Sequence, residues 1–219
     1  MFVGTRSGSV VRISLTSGRI VWQIATGGSV KGAIGRAGTN LVFGNYAGRV
    51  MVVNPVTGAT VWQISPGGKF YGAPAVSGGH IYLGNTNGTI YSFSEANGRT
   101  LWSVPTGNYV YSSPAVADGL VFFGSYDTNL YALNTATGAV VWHHPLGAAI
   151  DGSPSVIGNL VWAATLGSTP TSGRVYGLNI RTGTVAITQA PGRYVAPVAI
   201  PGYIISTGLT AVTALRGSR

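Results

Sequence analysis

The sequence has no cysteine, only four acidic residues and no stretch of 18 apolar residues. The first absence excludes disulfides and thiolate metal sites and leaves the redox compartment open. The third excludes a membrane-spanning helix. Met1-Phe2-Val3-Gly4 lacks the charged-then-apolar layout of a signal peptide, so none is expected in this chain. Charged residues make up only 8%, so solubility rests on Ser, Thr, Asn and exposed backbone rather than on ion pairs. Thirteen Lys and Arg against four acids give a formal charge of +9. That sign suits nucleic acid or an anionic surface. The basic residues are scattered, however, and form no run. They read as a general surface property, with no specific nucleic-acid partner expected.

What the chain has in plenty is glycine (34) and proline (11), interspersed with Val, Ile, Tyr and Trp. This composition predicts many short strands joined by tight turns. Trp22, Trp62, Trp102 and Trp142 stand 40 residues apart, each four residues after a glycine: Gly18, Gly58, Gly98 and Gly138. A fifth copy, Thr182-Gly183-Thr184-Val185-Ala186-Ile187, has lost its Trp and arrives after an insertion in the polar loop Leu166 to Gly173. Such a period marks a repeat architecture.

Each period divides into four strands. In the third, Tyr71 to Val76 reads as extended and turns at Ser77-Gly78-Gly79. His80-Ile81-Tyr82-Leu83 and Thr89-Ile90-Tyr91-Ser92-Phe93 follow, and the strand holding Trp102 closes the unit. Pro74, Pro114, Pro154 and Pro197 recur at one place, which suits an innermost strand with a free edge. A four-stranded sheet of this size cannot bury both faces alone, whereas radial stacking buries each between two neighbours. The fold expected is an all-β propeller of four-stranded antiparallel blades, about five to six units. Residues 1–219 are read as one repeat domain, with units near 1–26 (partial), 27–66, 67–106, 107–146, 147–190 and 191–219 (partial). Twenty-two strands are expected, two more than five blades need and two fewer than six. An incomplete ring is therefore expected, either a fragment or a ring that another chain completes. Self-association through the incomplete terminal blades is a further expectation.

The stretch from Gly124 through Leu130-Tyr131-Ala132-Leu133-Asn134 and Thr137-Gly138 to Trp142 resembles the pyrroloquinoline-quinone-like propeller repeat, of the quinoprotein and barrel-assembly lipoprotein type. The family's usual Asp is replaced here by Asn54, Asn134 and Asn179, or by Ser14 and Ser94. The resemblance implies that Trp22, Trp62, Trp102 and Trp142 dock one blade on the next, and that relatives have seven or eight blades. It also implies a cell-envelope or extracellular setting.

Quinone-dependent dehydrogenases of this superfamily use a Ca²⁺ site of converging oxygen ligands. Glu95, Asp118, Asp127 and Asp151 are the only acids here and are spread over different repeats and different edges. His143 and His144, adjacent on a strand, point to opposite faces and cannot share a metal easily. No nucleophile elbow or phosphate loop appears. The reading leans away from an enzyme, with no catalytic, cofactor-binding or metal residues expected. Pyrroloquinoline quinone with calcium is the alternative cofactor.

Aligning the repeats on their proline places Lys31, Tyr71, Tyr111, Asp151 and Tyr194 at one position, at the start of each innermost strand. A second set, Arg6, Tyr46, Thr86, Tyr126 and the loop around Thr169, follows strand two. In propellers these two loop types emerge on one face. Together they form an expected channel-mouth surface, since tyrosine offers area and a polar tip. The function expected is a non-catalytic binding or scaffold module with a protein or peptide partner. The alternatives are a fragment of a quinone-dependent dehydrogenase and the sensor domain of a membrane-bound kinase.

Overall fold

The computed structural model describes residues 1–169, 172–189, 197–200, 203–207 and 212–216. Among them are twenty-two strands and no helix, with every strand pairing antiparallel. The chain forms two compact units, Met1–Pro105 and Thr106–Arg219.

The first unit holds three sheets. The first is β1 (Phe2–Gly4), β2 (Ser9–Ile13) and β3 (Ile20–Ala25). The second is β4 (Gly35–Ala37), β5 (Asn40–Gly44), β6 (Val50–Val53) and β7 (Thr60–Ile64). The third is β8 (Ala75–Ser77), β9 (His80–Gly84), β10 (Thr89–Ser94) and β11 (Thr100–Pro105). The second unit repeats the plan with β12 (Ala115–Ala117), β13 (Leu120–Gly124), β14 (Asn129–Asn134) and β15 (Val140–Pro145). Its next sheet is β16 (Ser155–Ile157), β17 (Leu160–Ala164), β18 (Val175–Asn179) and β19 (Val185–Gln189). The last is β20 (Val198–Ile200), β21 (Tyr203–Thr207) and β22 (Val212–Arg216). Four sheets thus have four strands and two have three, each an up-and-down meander. These are the blades of a β-propeller.

Turn chemistry makes the meander. Gly78 and Gly79 join β8 to β9 with φ of 60° and 80°. Asp118 and Gly119 do the same before β13 with φ of 50° and 75°. Two successive residues at positive φ match the twist of a two-residue hairpin.

Packing between sheets follows from the period of two along a strand. On β5, Leu41 and Phe43 join a core with Val10 and Val30, against the first sheet. Val42, between them, joins a core with Phe70, Ile81 and Phe93, against the third. Both faces are therefore buried, which is why these strands read as continuous apolar runs. Cross-strand pairs also share a fixed volume. Opposite one another stand Val42 and Val52, Tyr82 and Ser92, Phe122 and Ala132, and Trp162 and Gly177. As one member grows the other shrinks. A Cβ on Gly177 would come within 3.2 Å of the Trp162 ring, so the largest residue in the series requires the smallest partner.

The innermost strands are shorter than the sequence suggests. β8 begins at Ala75, not at Tyr71, and β4, β12 and β16 begin at the same repeat position. Pro74, Pro114 and Pro154 stand just outside their strands, where a missing N–H costs no ladder bond. The segments ahead of these strands pack on their counterparts in the next sheet. A Cβ on Gly32 would lie 2.6 Å from the Gly72 carbonyl oxygen. The Ser113 amide donates to Ser153 Oγ at 3.0 Å.

Candidate functional site

Two loops per blade carry the residues singled out above, and the backbone clamps these loops together. The Tyr46 amide donates to the Ser29 carbonyl at 2.9 Å, and the Phe70 amide donates to the Asn45 carbonyl at 3.1 Å. The same pair recurs in the second unit, from Tyr126 to Tyr109 at 2.9 Å and from Ile150 to Ser125 at 3.0 Å. The loop after a blade's second strand is thereby wedged between the segment entering its own blade and the segment entering the next.

A polar residue at the start of each such loop fixes it. Buried Asn45 donates through its amide nitrogen to the Thr26 carbonyl at 2.8 Å, and its Oδ1 accepts from the Ala47 and Arg49 amides, each at 3.0 Å. Asn85 repeats the arrangement with Gly67, Asn87 and Thr89. Sequence reasoning passed over this position, although Thr5, Asn45, Asn85, Ser125 and Thr165 stand at 40-residue spacing. Beneath the loops, glycine lets a bulky plug approach. A Cβ on Gly44 would collide with Phe70, and one on Gly124 with Ile150.

This scaffold brings side chains of the two sets into two clusters. In the first unit Tyr46 lies between Lys31 and Tyr71. The Tyr46 and Tyr71 ring centroids are 5.9 Å apart. Lys31 Nζ sits 4.4 Å from the Tyr46 centroid and 5.8 Å from that of Tyr71. Lys69 Nζ approaches Tyr46 to 5.8 Å. Arg6 lines a notch of about 310 Å³ together with Gly4, Val30, Lys31 and Tyr71. Burial, with the neighbouring Tyr71, holds the Tyr46 hydroxyl above its ordinary pKa, and the charge of Arg6 acts in the opposite direction.

In the second unit Tyr126 lies between Tyr111 and Asp151. Its hydroxyl donates to Asp151 Oδ1 at 2.8 Å, and its ring meets Tyr111 edge-on at 4.9 Å. Tyr109 stacks on Tyr111 at 5.6 Å and is 47% exposed. Lys69 and Tyr109 were not anticipated. Both stand two residues ahead of a residue that was, and that shared offset is the signal that could have found them. Thr86 serves the backbone scaffold: its Oγ1 accepts from the Lys69 amide at 2.8 Å. Tyr194 lies outside the described residues.

The tryptophans point elsewhere. Trp22 Nε1 donates to the Pro55 carbonyl at 3.2 Å, Trp62 to Glu95 at 3.0 Å and Trp142 to Ile180 at 2.9 Å, each in the following sheet's outer turn. Trp102 is buried and packs at 5.7 Å from Tyr82.

Three of the four acids, Asp118, Asp127 and Asp151, have side-chain partners. Asp127 accepts from Tyr131 Oη at 2.7 Å, from the Gly107 amide at 2.8 Å and from the Asn129 amide at 2.9 Å. Burial alone would raise the Asp127 pKa, but these bonds outweigh it and hold it below the usual carboxylate value. Burial and the Asp127 carboxylate push the Tyr131 hydroxyl well up. Asp118 pairs with Arg181 at 3.5 Å across an exposed surface. Among the described residues no group of three or more His, Asp or Glu side chains could hold a metal ion. His143 stacks on Tyr131 at 5.7 Å, and His80 bonds Ser92 at 2.8 Å.

No curated protein matches the chain. Solved structures do. BamB from Moraxella catarrhalis is 24% identical with a TM-score of 0.83, over 99% of this chain and 69% of that one. The computationally designed Ika8 protein is 18% identical with a TM-score of 0.82, over 98% of this chain and 67% of that one. A chain of the mitotic checkpoint complex is 14% identical with a TM-score of 0.79, over 100% of this chain and 71% of that one. At these identities the likeness establishes the propeller fold alone. Sequence carries more. The family model described as outer membrane protein assembly factor BamB matches residues 6–110 and again 86–213. Two overlapping matches running almost from end to end make this chain a member of that BamB-type, pyrroloquinoline-quinone-like repeat family.

Proposed function

We propose that the chain is a non-catalytic interaction module of the cell envelope, which holds a protein partner on its tyrosine-bearing loops and needs no cofactor. The observation that carries this reading is the recurrence of one tyrosine-centred cluster at matching repeat positions. Tyr46 is flanked by Lys31 and Tyr71, and Tyr126 by Tyr111 and Asp151. A rigid scaffold that keeps its aromatic centre and varies the charge beside it is suited to recognition, since tyrosine adds contact area at little entropic cost. Asp127 and Asp151 are engaged by local hydrogen bonds from tyrosine hydroxyls. The family description, an outer membrane assembly factor, supports an envelope setting and a partner in the assembly machinery.

A photo-crosslinking residue placed at position 46 or 126, in cells that make the protein, tests this. The expected result is a discrete adduct with one envelope protein. Positions 15 and 56, whose Leu15 and Val56 are 82% and 66% exposed, should give none. Adducts equal at all four positions would defeat the reading. So would a melting temperature that rises saturably with added pyrroloquinoline quinone and Ca²⁺ and is accompanied by alcohol or sugar oxidation.

A further inference from the structure

The first-unit cluster holds an unbalanced charge. Eight of the 13 basic residues fall within residues 1–105, and Glu95 is the only acid there. Glu95 sits in an outer turn, where its carbonyl accepts from Trp62. Arg6, Lys31 and Lys69 crowd around Tyr46 and Tyr71, and none of the three has an acidic partner among the described residues. Like charges held this close repel, and only a bound anion would reverse the sign of that energy.

Shape narrows the choice of anion. The notch of about 310 Å³ has buried Val30 as its floor, with Arg6, Lys31 and Tyr71 on its rim. That is room for one or two short side chains, and Tyr71, 41% exposed, provides an apolar wall beside it. The Tyr46 hydroxyl, held above its ordinary pKa, stays a neutral donor at physiological pH. A nucleic-acid strand would want a continuous basic groove and open aromatic faces for stacking. Here the Tyr46 ring is already engaged by two ammonium groups.

We propose that the notch between Arg6, Lys31 and Tyr71, with Lys69 at its margin, binds an Asp- or Glu-bearing segment of a protein partner, pairing carboxylates with the uncompensated cations. This inference rests on the interaction-module reading and names the chemistry that this cluster selects. The second cluster, which carries Tyr111 at the place of Lys31 and Asp151 at the place of Tyr71, does not share that preference.

Fluorescence anisotropy with a labelled ten-residue peptide of alternating Asp, Glu and Tyr tests it, against the same peptide with Asn and Gln in place of the acids. The acidic peptide should bind at least about tenfold more tightly, and weaken as salt rises from about 50 to 200 mM. Lys31→Ser combined with Lys69→Ser should abolish the difference while leaving the melting temperature unchanged, because both side chains are exposed. Asp151→Asn should not reduce it. Equal binding of the two peptides, or binding untouched by the double lysine variant, would overturn the proposal. So would tighter binding of single-stranded DNA or of anionic phospholipid vesicles that the same variant removes, either of which would assign the notch to phosphate. If the acidic peptide fails while adducts at positions 46 and 126 persist, this inference falls and the interaction-module reading stands. If both fail, both fall.

Discussion

At the scale of single residues, Asp127 shows how a residue type that suggests chemistry can serve structure instead. One carboxylate bonds Tyr131, Gly107 and Asn129 and so ties the loop between β13 and β14 to the segment that follows β11. Because its pKa in the fold is depressed, its contribution is present above the ordinary carboxylate pKa of about 3.9 and is lost as pH falls below that value. Tyr131 behaves in the opposite sense. Its raised pKa makes its contribution complete below the ordinary tyrosine value of about 10 and progressively lost at higher pH. A melting-temperature profile against pH should therefore fall at both ends. Asp127→Asn should flatten the acid limb and Tyr131→Phe the alkaline limb. A Tyr131→Phe profile identical to that of the parent above pH about 10 would contradict this account. The sequence disclosed that acids were few and dispersed. It did not disclose this network, because the Gly107 partner lies 20 residues away in another element.

At the scale of elements, the Gly-x₃-Trp signature has two halves that act on different sheets. The ring of Trp22 covers Gly58, that of Trp62 covers Gly98, and that of Trp142 covers Gly183. Gly98 has φ of 74°, and a Cβ there would stand 2.6 Å from the Trp62 ring. The glycine of one copy is thus small where the tryptophan of the preceding copy rests on it. Its positive φ belongs to the turn, since Gly18 has φ of 68° with nothing packed on it. Spacing made the motif obvious, yet the interacting pairs are separated by 36 residues, or 41 for Trp142 and Gly183, rather than four. Trp62→Ala removes a ring and its hydrogen bond to Glu95, and should cost about 3–5 kcal/mol in denaturant unfolding. A loss below about 1 kcal/mol would show that the ring does not hold the second sheet to the third. The innermost strands were less legible. The segment from Tyr71 to Val76 reads as extended, but pairing starts only after proline, so the candidate residues sit on loops rather than on strand ends. That shift is what allows Tyr46 to reach both Lys31 and Tyr71.

At the scale of the whole molecule, the 40-residue period was enough to foresee twenty-two strands, because one repeat spells out one meander and hairpin turns announce themselves through Gly and Asn. Among the described residues the first and last sheets have three strands each, and this count has a physical consequence. On its far side β1 pairs with no strand among the described residues, whereas β5, β9, β13 and β17 each have a short inner neighbour at that place. Beside β1 lies a largely apolar cavity of about 670 Å³, lined by Phe2, Val3, Ala33, Ile34, Leu41 and Pro55 among others. An edge strand with no strand partner among the described residues, next to apolar side chains, is a template for another strand. Sedimentation velocity should accordingly show the mean mass rising with concentration, and the melting temperature should rise with it, as linkage between folding and association requires. Val3→Lys places a charge on a residue that is 36% exposed at this edge, and edge lysines oppose pairing. It should return the protein to monomer across the same concentration range. A parent chain that sediments as a monomer throughout, with a melting temperature independent of concentration, would mean that β1 does not recruit a strand from a second copy.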